Sequence, residues 1–255
     1  MAELVHCEIS PAGDTATITL DDPAHRNALS YALTLALVDA VDRAIAAGAG
    51  AIVVTATPPV FSAGGSVDDL LEPKAPLEDM YAGFLAVAEA PVPTVAAVNG
   101  PAIGAGTNLA LACDVILCSP RARFDPRWLD LGIHPGGGNL WRLRERVGRQ
   151  AAAALVLFGE SVDGEDAARV GLAWRCIPEG ELLDTALALA RKSASRPRDL
   201  VTTTKQTLDA VARVTTSAEA VALELEPQRE SMTSDAFQRR LADLRAKLGR
   251  DRPDG

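Results

Sequence analysis

The chain has 255 residues, 48% of them apolar and 23% charged, with a formal net charge of −9 and a pI near 4.9. Such a length supports one large core with room for a small second unit. The acidity excludes nucleic acid as a general partner, though it leaves room for a local basic patch toward a phosphorylated ligand.

No apolar run approaches the ~20 residues of a membrane span. The cysteines Cys7, Cys113, Cys118 and Cys176 and the histidines His6, His25 and His134 show no metal-ligand spacing, so no metal is expected. Glu3 and His6 stand where a signal-type segment would be apolar, and a soluble, reducing, cytoplasmic setting is the default expectation. Aromatics make up only 4% of the chain, which predicts an aliphatic, helix-rich core.

The alternating run Thr15–Leu20 reads as a strand with one wet face, ended by Asp21-Asp22-Pro23. Ser30 then stands as an N-cap, and Leu33, Leu37, Val41 and Ile45 recur at helical spacing up to Gly48. Residues 51–56, AIVVTA, form a second strand, apolar on both faces and therefore buried. The order strand, helix, strand predicts a parallel pair.

Phe61-Ser62-Ala63-Gly64-Gly65 is a small-residue loop at that strand's end, followed by a helix-like segment to about Ala90. Pro91 and Pro93 break it and introduce a buried strand over 94–98. Asn99-Gly100-Pro101 and Gly104-Ala105-Gly106 then turn the chain into the helix-forming Leu109-Ala110-Leu111-Ala112. A strand, a glycine-rich turn and a helix leave free N–H groups at the helix start, suited to an anion or a developing negative charge. From this motif alone, a tight packing corner is as good a reading.

Residues 115–118 read as a further strand. A loop from Arg121 reaches Pro135-Gly136-Gly137-Gly138, and helices follow over 139–147, 150–158 and 164–169. Residues 172–177 make the last strand. From Glu179 to near Leu248 the pattern is helical, broken at Pro197 and near Pro227, with a frayed tail over 250–255. The expected units are residues 1–195, a core, and 196–255, a helical region.

Five motifs in order now carry a resemblance: Arg26-Asn27-Ala28-Leu29, Phe61 to Gly65, Val98 to Gly106, Ala110-Leu111-Ala112-Cys113-Asp114 and Leu131 to Gly138. Together they resemble the enoyl-CoA hydratase/isomerase (crotonase) superfamily, over nearly the whole chain. The resemblance implies an α/β fold, a spiral core of ββα turns with a C-terminal helical trimerisation region, assembling as a homotrimer or a dimer of trimers. It implies an acyl-CoA thioester as ligand, coenzyme A entering as part of the substrate and no separate cofactor. The oxyanion hole falls on the backbone amides of Gly65 and Ala105, with Ala63 and Gly64 in the loop that presents the first. Arg26 and Ala28 fall where the family holds the nucleotide end of coenzyme A, and a guanidinium matches phosphate oxygens well. A solvated loop charge is the alternative for Arg26.

The family's hydratases use two glutamates, and their positions hold Asn108 and Trp128 here. Neither side chain can act as a carboxylate base, and general acid–base work contributes about 10²–10⁴-fold per group. Asp130 and His134 are the candidate replacements. A solvated acid and a backbone-bonded helix-entry residue are the alternatives to those roles. Asn108 either bonds a substrate group or caps local backbone; Trp128 either walls the acyl pocket or fills the space a carboxylate would leave. Glu145, among Arg142, Arg144 and Arg146, is expected to pair with Arg142 or Arg149.

Two functions stay open. One is an acyl-CoA enzyme of the hydratase or isomerase type, stabilising a thioester enolate and moving its proton through an unusual group. The other is an acyl-CoA carrier or sensor that grips the thioester and does no chemistry.

Overall fold

The computed structural model describes residues 3–250, so residues 251–255 of the expected frayed tail lie outside the described chain. The strands are β1 (Val5–Ile9), β2 (Thr15–Leu20), β3 (Ala51–Ala56), β4 (Thr94–Val98), β5 (Pro101–Ile103), β6 (Val115–Cys118), β7 (Arg123–Asp125), β8 (Val162–Asp163) and β9 (Arg175–Cys176). The helices are α1 (Tyr31–Ala46), α2 (Val67–Leu71), α3 (Ala82–Glu89), α4 (Ala105–Ala112), α5 (Asn139–Leu157), α6 (Gly164–Arg169), α7 (Leu182–Ala194), α8 (Arg198–Val211), α9 (Ser217–Thr233) and α10 (Asp235–Arg250).

Six strands form one sheet in the order β1-β2-β3-β4-β6-β9, parallel except for β1 against β2. β5, β7 and β8 form a separate three-stranded sheet. The alternation of side chains along a strand explains why β3 is buried throughout. Ile52, Val54 and Ala56 enter one apolar cluster with Leu33, Leu37 and Val87, whereas Ala51 and Val53 enter another with Leu182, Ala186 and Ala190. Helices thus cover both faces, as a parallel sheet requires.

α1 begins where Ser30 accepts a hydrogen bond from the Leu33 N–H, and it buries Leu33, Leu37, Ala40, Val41 and Ala44. That is the expected apolar stripe. The parallel pairing of β2 with β3 is also as expected, running from Thr15 opposite Ala51 to Leu20 opposite Ala56.

Several expectations need correction. The helix drawn to about Ala90 is two helices, α2 and α3, parted by a stretch carrying Pro73 and Pro76, whose missing N–H groups and fixed φ stop a helix. β7, read as loop, is a strand, β1 adds a strand over Val5–Ile9 to which the sequence reading assigns no element, and β5 takes shape within the turn over 101–103. The strand expected over 172–177 shrinks to β9, which pairs with only the end of β6. Pro227 does not break the C-terminal region but lies inside α9. The breaks fall instead ahead of Thr216, which closes a capping box with Glu219, and at Ser234.

The chain divides after Ser195 into two compact units. The second unit comprises α8, α9 and α10, and none of its described residues is buried.

Candidate functional site

The loop after β3 is fixed from two sides. Ser62 N–H donates to the Pro101 carbonyl at 3.1 Å, and the Ser62 carbonyl accepts from Ile103 N–H at 2.9 Å. From the other side, Ala63 N–H donates to the Arg26 carbonyl and Leu29 N–H to the Gly64 carbonyl, at 3.0 and 2.7 Å. Gly64 has φ +98°, and a Cβ there would lie 2.8 Å from the Ile103 oxygen and 3.6 Å from the Ala105 nitrogen. Only glycine permits both the backbone conformation and the approach.

The second loop turns at Gly104, φ 49° and ψ −114°, where Gly104 N–H donates to the Asp125 carbonyl at 2.8 Å. Thr107 secures the turn by donating its hydroxyl to the Ala102 carbonyl at 2.8 Å. A Cβ on Gly106 would fall 2.6 Å from the Ser62 oxygen. The small residues are therefore needed to let the two loops touch.

Among the described residues, neither Gly65 N–H nor Ala105 N–H has an acceptor. Gly65 is exposed and Ala105 half-buried, so both donors remain open to a ligand. Ala105 opens α4, where the first amides have no helical partner and the helix end is positive.

The connector 22–29 is held by Asn27, a buried residue with φ 53°. Its Nδ2 donates to the carbonyls of Thr57 and Val60, and its Oδ1 accepts from Asp22 N–H. Arg26 and Ala28 flank this anchor. The Arg26 guanidinium is exposed and has no partner among the described residues.

Asn108 is fully buried one turn into α4. Its Nδ2 donates to the Gly136 carbonyl and its Oδ1 accepts from Asn139 Nδ2, both at 2.9 Å. The Gly136 carbonyl fixes which way the Asn108 amide faces, and Asn139 must then donate. That leaves the Asn139 Oδ1 buried without a partner. Asn108 thus ties α4 to the 136–138 loop.

Trp128 is half-buried, and its indole N–H is buried and unpartnered. It follows Pro126 by two residues, and the Pro126 oxygen lies 3.9 Å from where a Gly104 Cβ would be. Asp130 and His134 are both exposed. The Asp130 carboxylate lies beside Gly159, and His134 Nδ1–H donates to the Pro135 carbonyl at 2.7 Å. Among the described residues, no hydrogen bond ties either one to the Gly65 or Ala105 loops.

The arginines of α5 differ from expectation. Glu145 is exposed and makes no ion pair among the described residues. Arg142 instead donates to the Gly137 carbonyl at 2.7 Å, and Arg146 reaches the carbonyls of Leu111, Cys113 and Asp114. Burial holds both guanidinium pKa values below the ordinary one.

Three site residues carry no mark in the sequence motifs. Asp125, buried, receives Arg123 and Arg127 at 3.0 and 2.6 Å while its carbonyl holds Gly104. Tyr81, its phenol pKa raised by burial, puts its hydroxyl against the space a Gly136 Cβ would take. Asn139 is the third. Only Asn139 has a local signal, a polar residue opening a helix after three glycines.

Comparison with known proteins adds four findings. The family model for enoyl-CoA hydratase/isomerase matches residues 12–246. The "Probable enoyl-CoA hydratase EchA14" of Mycobacterium tuberculosis is 42% identical over 240 residues, covering 89% of this chain and 92% of its own. Among solved structures, a probable enoyl-CoA hydratase/isomerase from Mycobacterium abscessus superposes with a TM-score of 0.85 at 31% identity, covering 97% of both chains. A Thermobifida fusca chain assigned as an enoyl-CoA hydratase and crystallised with CoA gives 0.81 at 28%, covering 96% of this chain and 95% of its own.

Proposed function

The chain belongs to the enoyl-CoA hydratase/isomerase family, and from that premise we propose that it binds an acyl-CoA thioester. The Gly65 and Ala105 amides grip the carbonyl oxygen. One observation carries the reading: two unpartnered N–H groups on loops that meet at Gly64, where a Cβ would sit 3.6 Å from the Ala105 nitrogen.

An enolate places negative charge on the thioester oxygen. Preset donors stabilise that charge more than they stabilise the neutral carbonyl, and losing one such donor costs about 2.7–4 kcal/mol of activation free energy. The exposed Arg26 guanidinium, free of any partner among the described residues, offers charge-assisted bonds to the phosphates of coenzyme A. Trp128, half-buried, walls the acyl group. Coenzyme A belongs to the substrate, and the protein works as a homotrimer or a dimer of trimers.

In the enzymatic reading, the reaction is of the enoyl-CoA hydratase or isomerase type, with Asp130 or His134 moving the proton. His134 donates through Nδ1, so its Nε2 is the basic nitrogen of the neutral ring. The Asn108 geometry favours the second reading, an acyl-CoA carrier. Both polar atoms of that amide are engaged within the protein, where the family's hydratases hold a carboxylate.

Mixing the protein with crotonyl-CoA and following the enoyl absorbance separates the two. Turnover at ordinary enzyme rates supports the enzyme and removes the carrier. Binding without turnover supports the carrier, and absence of binding overturns the thioester assignment.

A further inference from the structure

The first half of α5 presents one stripe to the candidate site. Asn139, Arg142 and Arg146 recur at i, i+3 and i+7, on one face of a helix. Asn139 holds Asn108 in the middle of α4, and Arg142 holds the Gly137 carbonyl. Arg146 donates through Nη2 to the carbonyls of Leu111 and Cys113, and through Nη1 to that of Asp114. Arg144 and Glu145, on the other face, are exposed. Directly beyond this stripe the helix kinks at Gly148, φ 71° and ψ 172°.

Leu111 is among the last four residues of α4, whose carbonyls lack helical partners. A cation there offsets the negative end of the helix. α4 has eight residues, so its two ends are ~12 Å apart. At its other end stands the free Ala105 amide.

We propose that Arg146 is a positioning residue of the oxyanion helix: its charge, fixed at the carboxyl end of α4, strengthens the hold of the Ala105 amide on a developing oxyanion. This rests on the thioester reading above. A unit charge acting over ~12 Å at an effective dielectric constant of about 20 is worth about tenfold, ~1.4 kcal/mol. Asp114 interacts electrostatically with Arg146 and offsets part of that field, so the expected effect is about three- to tenfold.

The test uses two probes on the whole chain. Coenzyme A, which has no thioester carbonyl, reports the nucleotide grip by titration calorimetry. Acetoacetyl-CoA, a 3-oxoacyl thioester, reports the oxyanion grip through the ultraviolet absorbance of its bound enolate.

Arg146→Met is expected to bind coenzyme A as the wild type does while its enolate fraction falls three- to tenfold. Arg146→Lys, which keeps the charge, is expected to stay within about twofold of the wild type. The proposal is overturned if Arg146→Met keeps the wild-type enolate fraction, or if Arg146→Lys falls as far as Arg146→Met. If Arg146→Met does not fold, Arg146→Gln, uncharged but still a donor, decides: a fall supports the charge, and retention overturns it. A wild-type protein that binds neither probe sinks the thioester reading itself, and the failures stay distinguishable.

Discussion

Gly64 and Gly106 show how little freedom the two loops have. A methyl group at Gly64 would meet the Ile103 oxygen at 2.8 Å, from a φ of +98° that side chains rarely adopt. Gly64→Ala is therefore expected to cost about 1–3 kcal/mol of backbone strain and to push the loops apart. The checks are urea denaturation and acetoacetyl-CoA enolate absorbance; a variant as stable and as enolate-forming as the wild type would contradict the geometry. These glycines are legible in the sequence because runs of small residues at the ends of two strands mark places where backbones come close. Asn108 is harder to read. Its type declares hydrogen bonding, but its partners, Gly136 and Asn139, lie 28 and 31 residues away, and spacing alone does not bring them together. Arg146 is misleading for a related reason. Local spacing offers it no acceptor, since the i,i+3 and i,i+4 partners expected for Glu145 are Arg142 and Arg149, whereas the carbonyls at the end of α4, invisible to sequence, offer arginine good acceptors.

The elements that sequence reveals are those whose burial is written in their apolar residues, β3 as an unbroken apolar run and α1 as a helical period. Those it hides lack such a period. β7 has three residues, one of them an exposed arginine, and β1 sits at the sheet edge with three of its five residues carrying polar or reactive side chains. β1 is fastened partly by charge. His6 Nε2 lies 2.7 Å from Asp21 and its Nδ1 3.1 Å from Glu3, and Thr57 donates to Asp21 at 2.6 Å. The bond His6 donates to Asp21, chiefly, lifts the His6 pKa above its ordinary 6.5, and the bonds from Thr57 and His6 lower that of Asp21 below 3.8. His6 thus binds its proton more tightly when folded, and its stabilisation is complete below pH 6.5 and fades as pH climbs through the higher folded value. Asp21 runs the other way, stabilising above its unfolded value and losing this as pH falls through its lower folded one. The pair is strongest between roughly pH 4 and 6.5. His6→Gln should flatten the fall in stability from about pH 5.5 to 8, measured by urea denaturation; parallel curves for the two proteins would refute this. Pro227 is the other lesson at this scale. A proline in a helical pattern predicts a break, but no residue of α9 is buried, so the carbonyl it leaves unbonded can turn to water. Pro227→Ala should raise the melting temperature and the helical circular dichroism, and a fall in either would mean that the ring is needed there.

At the scale of the whole molecule, the two units differ in how they satisfy their apolar residues. The first has two buried clusters on opposite faces of its large sheet and has the makings of an independent fold. The second leaves Leu208 68% exposed, Val221 56%, Met232 51% and Leu244 52%, with no buried residue among those described. Three helices without a core of their own cannot offset the chain entropy lost in ordering them, so the missing burial has to come from elsewhere. A second and third copy of the chain would supply it, which is the assembly proposed above. Light scattering should then give the mass of a trimer or a hexamer, and a monomer at micromolar concentration would count against the proposal. Charge placed on this surface makes the sharper test. Leu208→Glu with Leu244→Glu removes apolar area from exposed positions of α8 and α10. If copies meet there, the double variant dissociates while the sheet unit keeps its circular dichroism and its coenzyme A binding. If the variant stays assembled, the copies meet through other surfaces, and the exposed leucines of α8 and α10 are not what joins them.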